Sequence, residues 1–500
     1  MGGPSVKWGR RDRSRRPGED GGSAHKVGRW RRRQGMWWRT PWLRQRRLLL
    51  GLALFDTLLL LGTYNSLFLQ RFDRWAGVTG SIVGLVVLWV GVSYLLGRYS
   101  KPDQGQRDSQ RRRLAATAVV ALLVLAVVVV VLNWGLKVED PRTFRNFILP
   151  LLAAVTLASG TAQLVVTRLL SRRQAWLLVG EVAELNIVQS ELEREGGQSR
   201  LELHYCDCRA LASDFETTLL TVDGIAVSEA AELNDALLQQ LLARRERGAS
   251  VCSLVIWAEH HLQRVPPELF SSRWLLQADG FELQPNRWGW RLKRLGDVVV
   301  ASLLLVVTAP ILLITAIAIR LEDGGGILYR QRRTGLYGEA IEVWKLRTMC
   351  QEAEARGARW ASRDDPRVTL VGNTLRRLRI DELPQLIAVL KGEMSLIGPR
   401  PERPEIEDTL EQQIQHYRVR HWVRPGLSGW AQVCYPYGAS VEDSRMKLSY
   451  DLYYMRNAGL MLDILILIKT IRLLARARGA QPVSCQLPSR ADFKAMHRTP

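Results

Sequence analysis

Four apolar stretches of about twenty residues follow one another in the first third of the chain. They run over residues 48–69, 78–96, 115–134 and 147–166. Each is long enough to cross the hydrocarbon core of a bilayer, which takes about 20 residues of helix. The pattern therefore predicts a bundle of four transmembrane helices over residues 48–170.

The charges between these stretches predict the orientation of the bundle. The segment 98–113 carries about six Lys or Arg, and three arginines follow the fourth stretch, whereas the other two connections are poor in Lys and Arg. Positive charge collects on the cytoplasmic side, so both ends of the bundle are expected there. Asp56 lies inside the first stretch, where an acid is by default functional. It has no basic neighbour in sequence, and we favour a packing role or a polar contact between helices.

Residues 171–290 show the alternation of an α/β domain. Strands are predicted at 175–179, 201–205, 219–222 and 251–256, with helices at 184–195 and 229–245. This order predicts a Rossmann-like layer. The turn after the first strand has Gly180 but lacks the two further glycines that let a diphosphate approach a helix. We therefore expect this domain to mediate assembly, with a homodimer as one form, rather than to bind a nucleotide.

A fifth apolar stretch, residues 298–319, differs from the first four. Ala309-Pro310 lies in its middle, and proline bends a helix. Both flanks are strongly basic, which suits a hairpin that enters and leaves by the cytoplasmic face. A proline-kinked spanning helix is the alternative. The pattern favours a re-entrant helix with its bend at Ala309 and Pro310.

Residues 321–478 are too polar to be buried in lipid. Strands are predicted at 327–331 and 339–346, and a basic helical region at 366–392 that is broken at Pro384. The last helix, 450–474, interleaves apolar, aromatic and basic residues. Such a helix either lies on a membrane or packs against a core. Together with the fifth stretch, these elements predict one domain over residues 291–478, followed by a tail at 479–500.

The composition predicts a basic, disordered tail over residues 1–47 and a reducing environment for the soluble parts. The net charge is +21, and residues 1–47 hold about fifteen Lys or Arg against three acids. A polybasic segment before an apolar stretch is more typical of anionic lipid than of nucleic acid, and we expect no nucleic-acid partner. The six cysteines have no metal-binding spacing, which fits cytoplasmic soluble parts.

The strongest indication of a functional site is a pair of adjacent acids, Asp381 and Glu382, among three arginines. On a helix Arg377 and Asp381 would share a face, and the two acids would point roughly 100° apart. A solvated ion-pair surface is one interpretation. A site is the other, since ionised carboxylates attack phosphorus or bind a divalent cation and arginines bind phosphate. Gly398-Pro-Arg-Pro401 follows shortly after.

A series of ordered motifs accompanies this pair. They are 293–297 (KRLGD), 329–335 (YRQRRTG), 344–349 (WKLRTM), 365–369 (DPRVT), 379–385 (RIDELPQ), 391–395 (KGEMS), 398–401 (GPRP), 424–430 (RPGLSGW) and 450–457 (YDLYYMRN). The series resembles the bacterial sugar transferases, the monotopic polyprenyl-phosphate phosphoglycosyl transferases. The bundle and the Rossmann-like insert resemble the long form of that family. The implied fold is a membrane helical bundle, a Rossmann-like domain and an α/β catalytic domain with a re-entrant helix.

The resemblance implies an enzyme that transfers a sugar 1-phosphate from a UDP-sugar to undecaprenyl phosphate and releases UMP. Asp381 would be the nucleophile that forms a phosphosugar-aspartyl intermediate. Glu382, together with Asp381, would hold Mg²⁺. Arg400 would bind phosphate. Further phosphate contacts are expected from Arg379, Arg332, Lys345 and Arg347, and contacts in the donor pocket from Asp451 and Tyr454.

The resemblance also implies a place in the cell. The enzyme would lie in the bacterial inner membrane with its catalytic domain on the cytoplasmic face, where it meets the nucleotide donor, and this requirement strengthens the case for re-entry. It would start an exopolysaccharide or capsule and pass its product to downstream glycosyltransferases. The family often has Ser-Pro where this chain has Ala309-Pro310. A non-catalytic scaffold that binds polyprenyl phosphate is the rival interpretation, and no motif specifies the sugar.

Overall fold

The computed structural model describes most of the chain between residues 41 and 475. The described residues are 41–99, 109–131, 144–170, 174–194, 201–207, 222–233, 235–278, 280–281, 288–351, 365–435, 438 and 440–475. The predicted C-terminal tail and all but the end of the predicted N-terminal tail lie outside these residues.

The first part of the structure is a bundle of four apolar helices. They span Pro41–Phe72, Gly80–Leu95, Ser109–Val130 and Leu149–Leu170, the last preceded by a π-helical turn at Phe144–Ile148. By length and composition two of them are able to cross a membrane, within Arg46–Phe72 and Arg145–Leu169. The other two predicted spans form shorter apolar helices, Gly80–Leu95 and Ala115–Val129. The end of the predicted third span lies among residues 132–143, which are outside the description.

Asp56 has a basic partner that the sequence does not reveal. Arg98 is 42 residues away along the chain, and its Nη1 lies 3.1 Å from Asp56 Oδ2, with both side chains fully buried. Tyr99 donates a hydrogen bond of 2.6 Å to the same carboxylate, and Ser159 donates to the other oxygen. The expected contact between helices is present, but it is an ion pair, because folding brings the end of the second helix back to the first.

The middle of the chain forms a four-stranded parallel sheet. Strands β1 (Gln174–Gly180), β2 (Leu201–Asp207), β3 (Gly224–Val227) and β4 (Ser250–Ser253) are ordered β2-β1-β3-β4. Helices Val182–Arg194, Asp235–Glu246, Leu254–Leu262 and Ser272–Gln277 accompany them. Leu178 and Leu177 lie on opposite faces of β1. Leu178 belongs to one apolar cluster and Leu177 to another. Burial on both faces is typical of a parallel sheet covered by helices.

Two predicted strands of this region differ from the structure. The strand expected at 219–222 falls almost entirely on residues outside the description, and β3 lies just after it. The strand expected at 251–256 ends at Ser253, because the Ser253 hydroxyl accepts a hydrogen bond from the Ile256 amide at 3.4 Å and begins a helix there.

The fifth apolar stretch lies within one long helix, Trp288–Asp323. It is helical through Pro310, and the segment Gly289–Asp323 is also long and apolar enough to cross a membrane. The Thr308 hydroxyl donates to the Leu304 carbonyl at 2.7 Å. It therefore does not satisfy the Val306 carbonyl, which is the one that proline at position 310 leaves without its helical donor.

The C-terminal region combines short strands with many short helices. Strands β5 (Leu328–Thr334) and β6 (Ala340–Leu346) form an antiparallel pair, and β7 (Ser395–Ile397) and β8 (Gly426–Ser428) a parallel pair. The α-helices are Leu370–Leu378, Leu386–Lys391, Pro404–Gln413, Trp430–Cys434, Val441–Arg456 and Leu460–Ala475, and the 3₁₀ turns include Ile380–Gln385 and Tyr417–Trp422. The predicted helix 450–474 is therefore two helices.

The last helix, Leu460–Ala475, has two apolar faces. Leu462 and Ile466 are buried in the core, whereas Ile468 and Ile471 are exposed. The buried face shows that this helix packs against the core, and a contact of its exposed apolar face with the membrane stays a prediction.

The sheet domain packs directly against the C-terminal region. The buried Glu191 carboxylate lies 2.9 Å from Arg264 Nε and also contacts Arg445 of helix Val441–Arg456. Glu259 lies 3.3 Å from Arg456 and accepts a hydrogen bond of 2.6 Å from Asn457. The helix that carries these partners also carries part of the candidate site.

Candidate active site

The acidic pair lies in a short 3₁₀ turn rather than on an α-helix. Helix Leu370–Leu378 ends at Arg379, whose φ of 60° is in the left-handed region, and the turn Ile380–Gln385 follows. A left-handed residue ends a helix and redirects the chain. The prediction that Arg377 and Asp381 share a helical face is therefore wrong, and Arg377 is exposed.

Both carboxylates of the pair are buried, but their surroundings differ. In a 3₁₀ turn successive side chains point about 120° apart. Glu382 faces three cations, since Arg400 bonds to both of its oxygens, with Nη1 3.4 Å from Oε2. Arg379 Nη1 lies 3.6 Å from Oε2, and Lys345 Nζ lies 3.8 Å from Oε1. In contrast, Asp381 Oδ1 is buried with no hydrogen-bond partner in the described part of the chain.

These surroundings move the two pKa values in opposite directions. Burial would raise the pKa of Glu382, but the positive charges of Arg400, Lys345 and Arg379 outweigh burial and hold this pKa well below its usual range. The pKa of Asp381 is raised, first by burial and then by the negative charge of Glu382. Two neighbouring carboxylates with separated pKa values are typical of an acid pair with divided roles.

Lys345 reaches the pair from strand β6. Burial lowers the pKa of its ammonium group to about 8, although the charge of Glu382 opposes the shift. Strand β6 packs against the acidic turn, so pairing of β6 with β5 fixes the position of Lys345. The charge of this lysine in turn lowers the pKa of Asp381.

Arg400 is positioned by a tight crossing of two loops. The backbones at Gly398 and Gly426 approach so closely that a Cβ atom at either position would overlap backbone atoms of the other segment. The Arg400 carbonyl accepts a hydrogen bond of 2.8 Å from Arg420, which also lies 3.1 Å from Asp451. Asp451 is thus connected to Glu382 through Arg420 and Arg400.

The structure gathers some of the predicted phosphate-binding residues and separates others. Lys345, Arg379 and Arg400 all contact Glu382. Arg332 is exposed on the outer face of β5, and the next residue, Arg333, instead points inward and donates to the Pro401 carbonyl at 3.1 Å. Arg347 pairs with Asp323 at the end of the long helix.

The two residues expected in the donor pocket are both buried in polar contacts. Asp451 bonds to Arg420, as described above. The Tyr454 hydroxyl donates to Asp463 at 2.9 Å and to the Ile397 carbonyl at 3.2 Å. Sequence reasoning missed Arg333 and Arg420. The alternation of β5 could have indicated Arg333, whereas nothing local distinguishes Arg420.

The residues of the pair suit Mg²⁺ in chemistry and number. Mg²⁺ usually uses one or two carboxylates and takes its remaining ligands from water and substrate phosphates. Asp381 Oδ1 is a buried oxygen in need of a partner. Glu382 is ionised, but its oxygens contact three cations. Within the described residues there is no group of three or more His, Cys, Asp or Glu that could hold a metal ion.

Comparison with known proteins identifies the family. The model of the family described as bacterial sugar transferase matches residues 288–477. The uncharacterized sugar transferase EpsL of Bacillus subtilis (strain 168) is 38% identical over 190 residues, which are 38% of this chain and 90% of that protein. The chain belongs to the bacterial sugar transferase family, and the resemblance drawn from its motifs is confirmed.

Two longer relatives carry more specific names. The UDP-N-acetylgalactosamine-undecaprenyl-phosphate N-acetylgalactosaminephosphotransferase of Aeromonas hydrophila is 46% identical over 190 residues, 38% of this chain and 45% of that protein. The UDP-glucose:undecaprenyl-phosphate glucose-1-phosphate transferase of Escherichia coli (strain K12) is 41% identical over 182 residues, 36% of this chain and 39% of that protein. The matches to these two relatives span less than half of their lengths.

Proposed function

We propose that the protein transfers a sugar 1-phosphate from a UDP-sugar to undecaprenyl phosphate, releases UMP and thereby starts an exopolysaccharide or capsule. The observation that carries this proposal is the buried pair Asp381 and Glu382, whose pKa values are shifted in opposite directions beside three cations. The pair lies inside the segment that matches the family. The names of the Aeromonas and Escherichia relatives support the substrate classes.

In the first step the ionised Asp381 attacks the phosphorus atom that bears the sugar. A bond forms between a carboxylate oxygen and this phosphorus, and the bond from phosphorus to the bridging oxygen of the diphosphate breaks. UMP leaves with the bonding electrons, and the phosphosugar stays on Asp381. Covalent catalysis divides one transfer between two bulky anions into two easier steps.

In the second step undecaprenyl phosphate accepts the phosphosugar. An oxygen of its phosphate attacks the same phosphorus, and the bond from phosphorus to the Asp381 oxygen breaks. The products are a lipid-linked diphosphate sugar and the free carboxylate of Asp381. One site therefore serves both substrates in turn.

The cations around Glu382 stabilise the negative charge of both steps. Arg400 binds a phosphate of the donor when the diphosphate displaces the carboxylate of Glu382 from its guanidinium group. Arg379 and Lys345 add positive charge to the same place. Preorganised cations of this kind lower the barrier to phosphoryl transfer, because the transition state spreads charge over oxygen atoms.

Asp381 and Glu382 are the residues that would hold Mg²⁺. The ion, when bound, neutralises charge on the diphosphate and on the leaving UMP. Glu382 becomes available for this role only when a phosphate takes over its contact with Arg400. Asp381 Oδ1 already lacks a protein partner among the described residues.

We further propose that helix Trp288–Asp323 is re-entrant. Near its start Lys293 donates to the Ile397 carbonyl at 3.0 Å, and near its end the buried Ile319 packs against Leu346 of β6. Both ends of the helix thus contact the same polar domain. Because this domain cannot lie on both sides of a bilayer, the two ends lie on the same side. The middle of the helix is exposed, as expected for a segment dipped into one leaflet.

The same contacts support a location for the whole chain. We place the protein in the bacterial inner membrane with the catalytic domain, residues 291–478, on the cytoplasmic face, in line with the charges that flank residues 48–170. The sheet domain, residues 171–290, is proposed to be a degenerate Rossmann-like unit that mediates assembly, including a homodimer. Downstream glycosyltransferases would extend the product.

The experiment that tests this function is an assay of UMP release by the purified full-length protein with Mg²⁺. A panel of UDP-sugars is offered with and without undecaprenyl phosphate. We expect many turnovers only with the lipid acceptor and one preferred sugar. If the protein binds undecaprenyl phosphate but releases no UMP from any UDP-sugar, the scaffold interpretation replaces the enzymatic one.

A further inference from the structure

Arg264 joins the sheet domain to helix Val441–Arg456 of the catalytic domain. Its Nη1 donates a hydrogen bond of 3.0 Å to the Tyr450 hydroxyl, and its Nη2 donates one of 2.8 Å to the Glu191 carbonyl. Its Nε lies 2.9 Å from the carboxylate of the same glutamate. Arg264 is 1% exposed and Glu191 is fully buried. A planar guanidinium group with these contacts has a fixed orientation, so the position of Tyr450 depends on the sheet domain.

The residues on either side of this arginine also contact the catalytic domain. The Gln263 carbonyl accepts a hydrogen bond of 3.0 Å from Trp430 Nε1, and the Val265 amide donates one of 2.8 Å to the Ser449 carbonyl. Gln263 has a φ of 55°. This left-handed conformation costs free energy in a residue other than glycine and persists where the surrounding structure imposes it. The conformation of the loop is thus adapted to its contacts with the neighbouring domain.

A series of contacts leads from Tyr450 to the candidate site. Tyr450 and Asp451 are adjacent on one helix, so the two side chains move with the same backbone. Asp451 lies 3.1 Å from Arg420 Nη2, which donates a hydrogen bond of 2.8 Å to the Arg400 carbonyl. Arg400 in turn bonds to both oxygens of Glu382. A shift of the helix would therefore displace the guanidinium group that is proposed to bind the donor phosphate.

The interior is continuous between the two domains. Arg264 precedes the segment that the family model matches, which begins at residue 288. Nevertheless, Leu262 of the sheet domain and Leu448 of the catalytic domain belong to one buried apolar cluster. Close-packed interiors have low compressibility and transmit strain. The sheet domain is therefore able to set the position of the helix.

We propose that Arg264 is a positioning residue for the transfer reaction. It holds Tyr450, and the helix that carries Tyr450 and Asp451 keeps Arg420 and Arg400 in place for the donor phosphate. The sheet domain thereby supports the activity of the catalytic domain, in addition to any role in assembly. This role rests on the proposed function, because Arg400 is assigned there to the donor phosphate.

Two arginines that share Glu191 provide a matched comparison. Arg445 also contacts Glu191 but directs its other bonds to two further acids, at 3.0 and 2.9 Å. After Arg264→Gln, Glu191 keeps Arg445 as a partner, so no buried charge is left unpaired and the variant should fold. After Arg445→Gln, Glu191 keeps Arg264 in the same way. The two variants remove the same charge from one junction, and Arg264→Gln removes the donor to Tyr450.

The first measurement is hydrogen–deuterium exchange of the full-length protein without substrates. The Gly426 amide donates to the Pro399 carbonyl at 2.8 Å, next to Arg400, and therefore reports on the position of this loop. We expect Arg264→Gln to increase exchange at this amide and Arg445→Gln to leave it as in the wild type. Equal exchange in the two variants would refute the positioning role. If the wild type releases no UMP, the proposed function fails, whereas exchange still shows whether Arg264 holds the loop.

The second measurement is kcat/KM for the UDP-sugar in UMP release. Arg264→Gln should lower it about tenfold, which is within the range for residues that couple two sites. Arg445→Gln should lower it less than about twofold, which is below that range. If Arg264→Gln reduces thermal stability but changes neither exchange nor kcat/KM, the residue is structural only and the proposal is overturned.

Tyr450→Phe shows whether Arg264 acts through the tyrosine hydroxyl. This variant removes only the acceptor of the Arg264 hydrogen bond, and it should also lower kcat/KM. The double variant should be no slower than the slower single variant, because both changes break the same contact. If the two losses multiply instead, Arg264 acts independently of Tyr450 and the proposed series of contacts is wrong.

Discussion

Arg400 holds both carboxylate oxygens of Glu382, and these two residues are the proposed binder of substrate phosphate and the proposed ligand of Mg²⁺. A guanidinium fork fits a carboxylate and a phosphate in the same way. Under the proposed function, the phosphate of the substrate would therefore compete with Glu382 for Arg400. Binding of the donor diphosphate would release the Glu382 carboxylate for a cation at the moment when the cation is needed.

Arg400→Lys tests whether activity depends on the two parallel hydrogen bonds that a guanidinium group can make. Lysine keeps the charge but cannot make two parallel bonds, so we expect kcat/KM for UMP release to fall about 10²-fold. Arg418→Lys is the control, because the Arg418 side chain is 75% exposed. It should leave kcat/KM within about twofold. Equal rates for the two variants would show that Arg400 acts only as a point charge.

The raised pKa of Asp381 predicts an acid limb in the rate profile. The nucleophile must be ionised, so the rate of the first step should fall as the pH drops through this pKa, above the range of an ordinary aspartate. Lys345 lowers that pKa, and Lys345→Gln should therefore move the fall to higher pH. The measurement is the burst of UMP without lipid acceptor as a function of pH. Arg377→Gln, which changes an exposed arginine, should leave the midpoint in place. If Lys345→Gln does not shift the midpoint, the acid limb does not report the ionisation of Asp381.

Arg420 is expected to support the site through Asp451 and the backbone of Arg400. Both charged side chains are buried, so Arg420→Gln leaves Asp451 as an unpaired buried anion, at a cost on the order of 3–5 kcal/mol. The temperature of irreversible activity loss should fall accordingly. The double variant Arg420→Gln with Asp451→Asn removes the stranded charge and should recover part of the loss. If the double variant is as unstable as the single one, the ion pair is not the cause.

Cysteine labelling tests the re-entrant helix. Leu321, at the far end of the helix, is 81% exposed, and Trp75, between the first two bundle helices, is 62% exposed. With native cysteines replaced, a membrane-impermeant reagent added outside spheroplasts should label Trp75→Cys and not Leu321→Cys. Efficient labelling of Leu321→Cys from outside would establish a full crossing.

The sequence predicted what depends on local pattern and ordered motifs. The apolar stretches, the first two strands of the α/β domain and the segment around Asp381 and Glu382 were recognised. It did not predict the left-handed turn at Arg379, because arginine has no intrinsic preference for φ above zero and only the packed turn imposes it. The choice of Arg333 over Arg332 depended on the register of β5.

Ion pairs between residues far apart along the chain could also not be predicted from the sequence. Arg98 lies 42 residues from Asp56, and Arg420 lies 31 residues from Asp451. Such pairs arise only when separate elements meet, and no spacing rule connects their positions. The place of Asp451 in the donor pocket, which the family resemblance implies, stays a prediction, and the sequence did not reveal that this residue is buried against Arg420.

The central claim is that Asp381 carries the phosphosugar, and intact-mass spectrometry tests it most directly. The full-length protein is mixed with its UDP-sugar and Mg²⁺, without undecaprenyl phosphate, and quenched in acid. We expect a mass increase of one sugar phosphate, located on Asp381, in step with a stoichiometric burst of UMP, and no adduct with Asp381→Asn. UMP release without an adduct, or an adduct that persists in Asp381→Asn, would contradict the account.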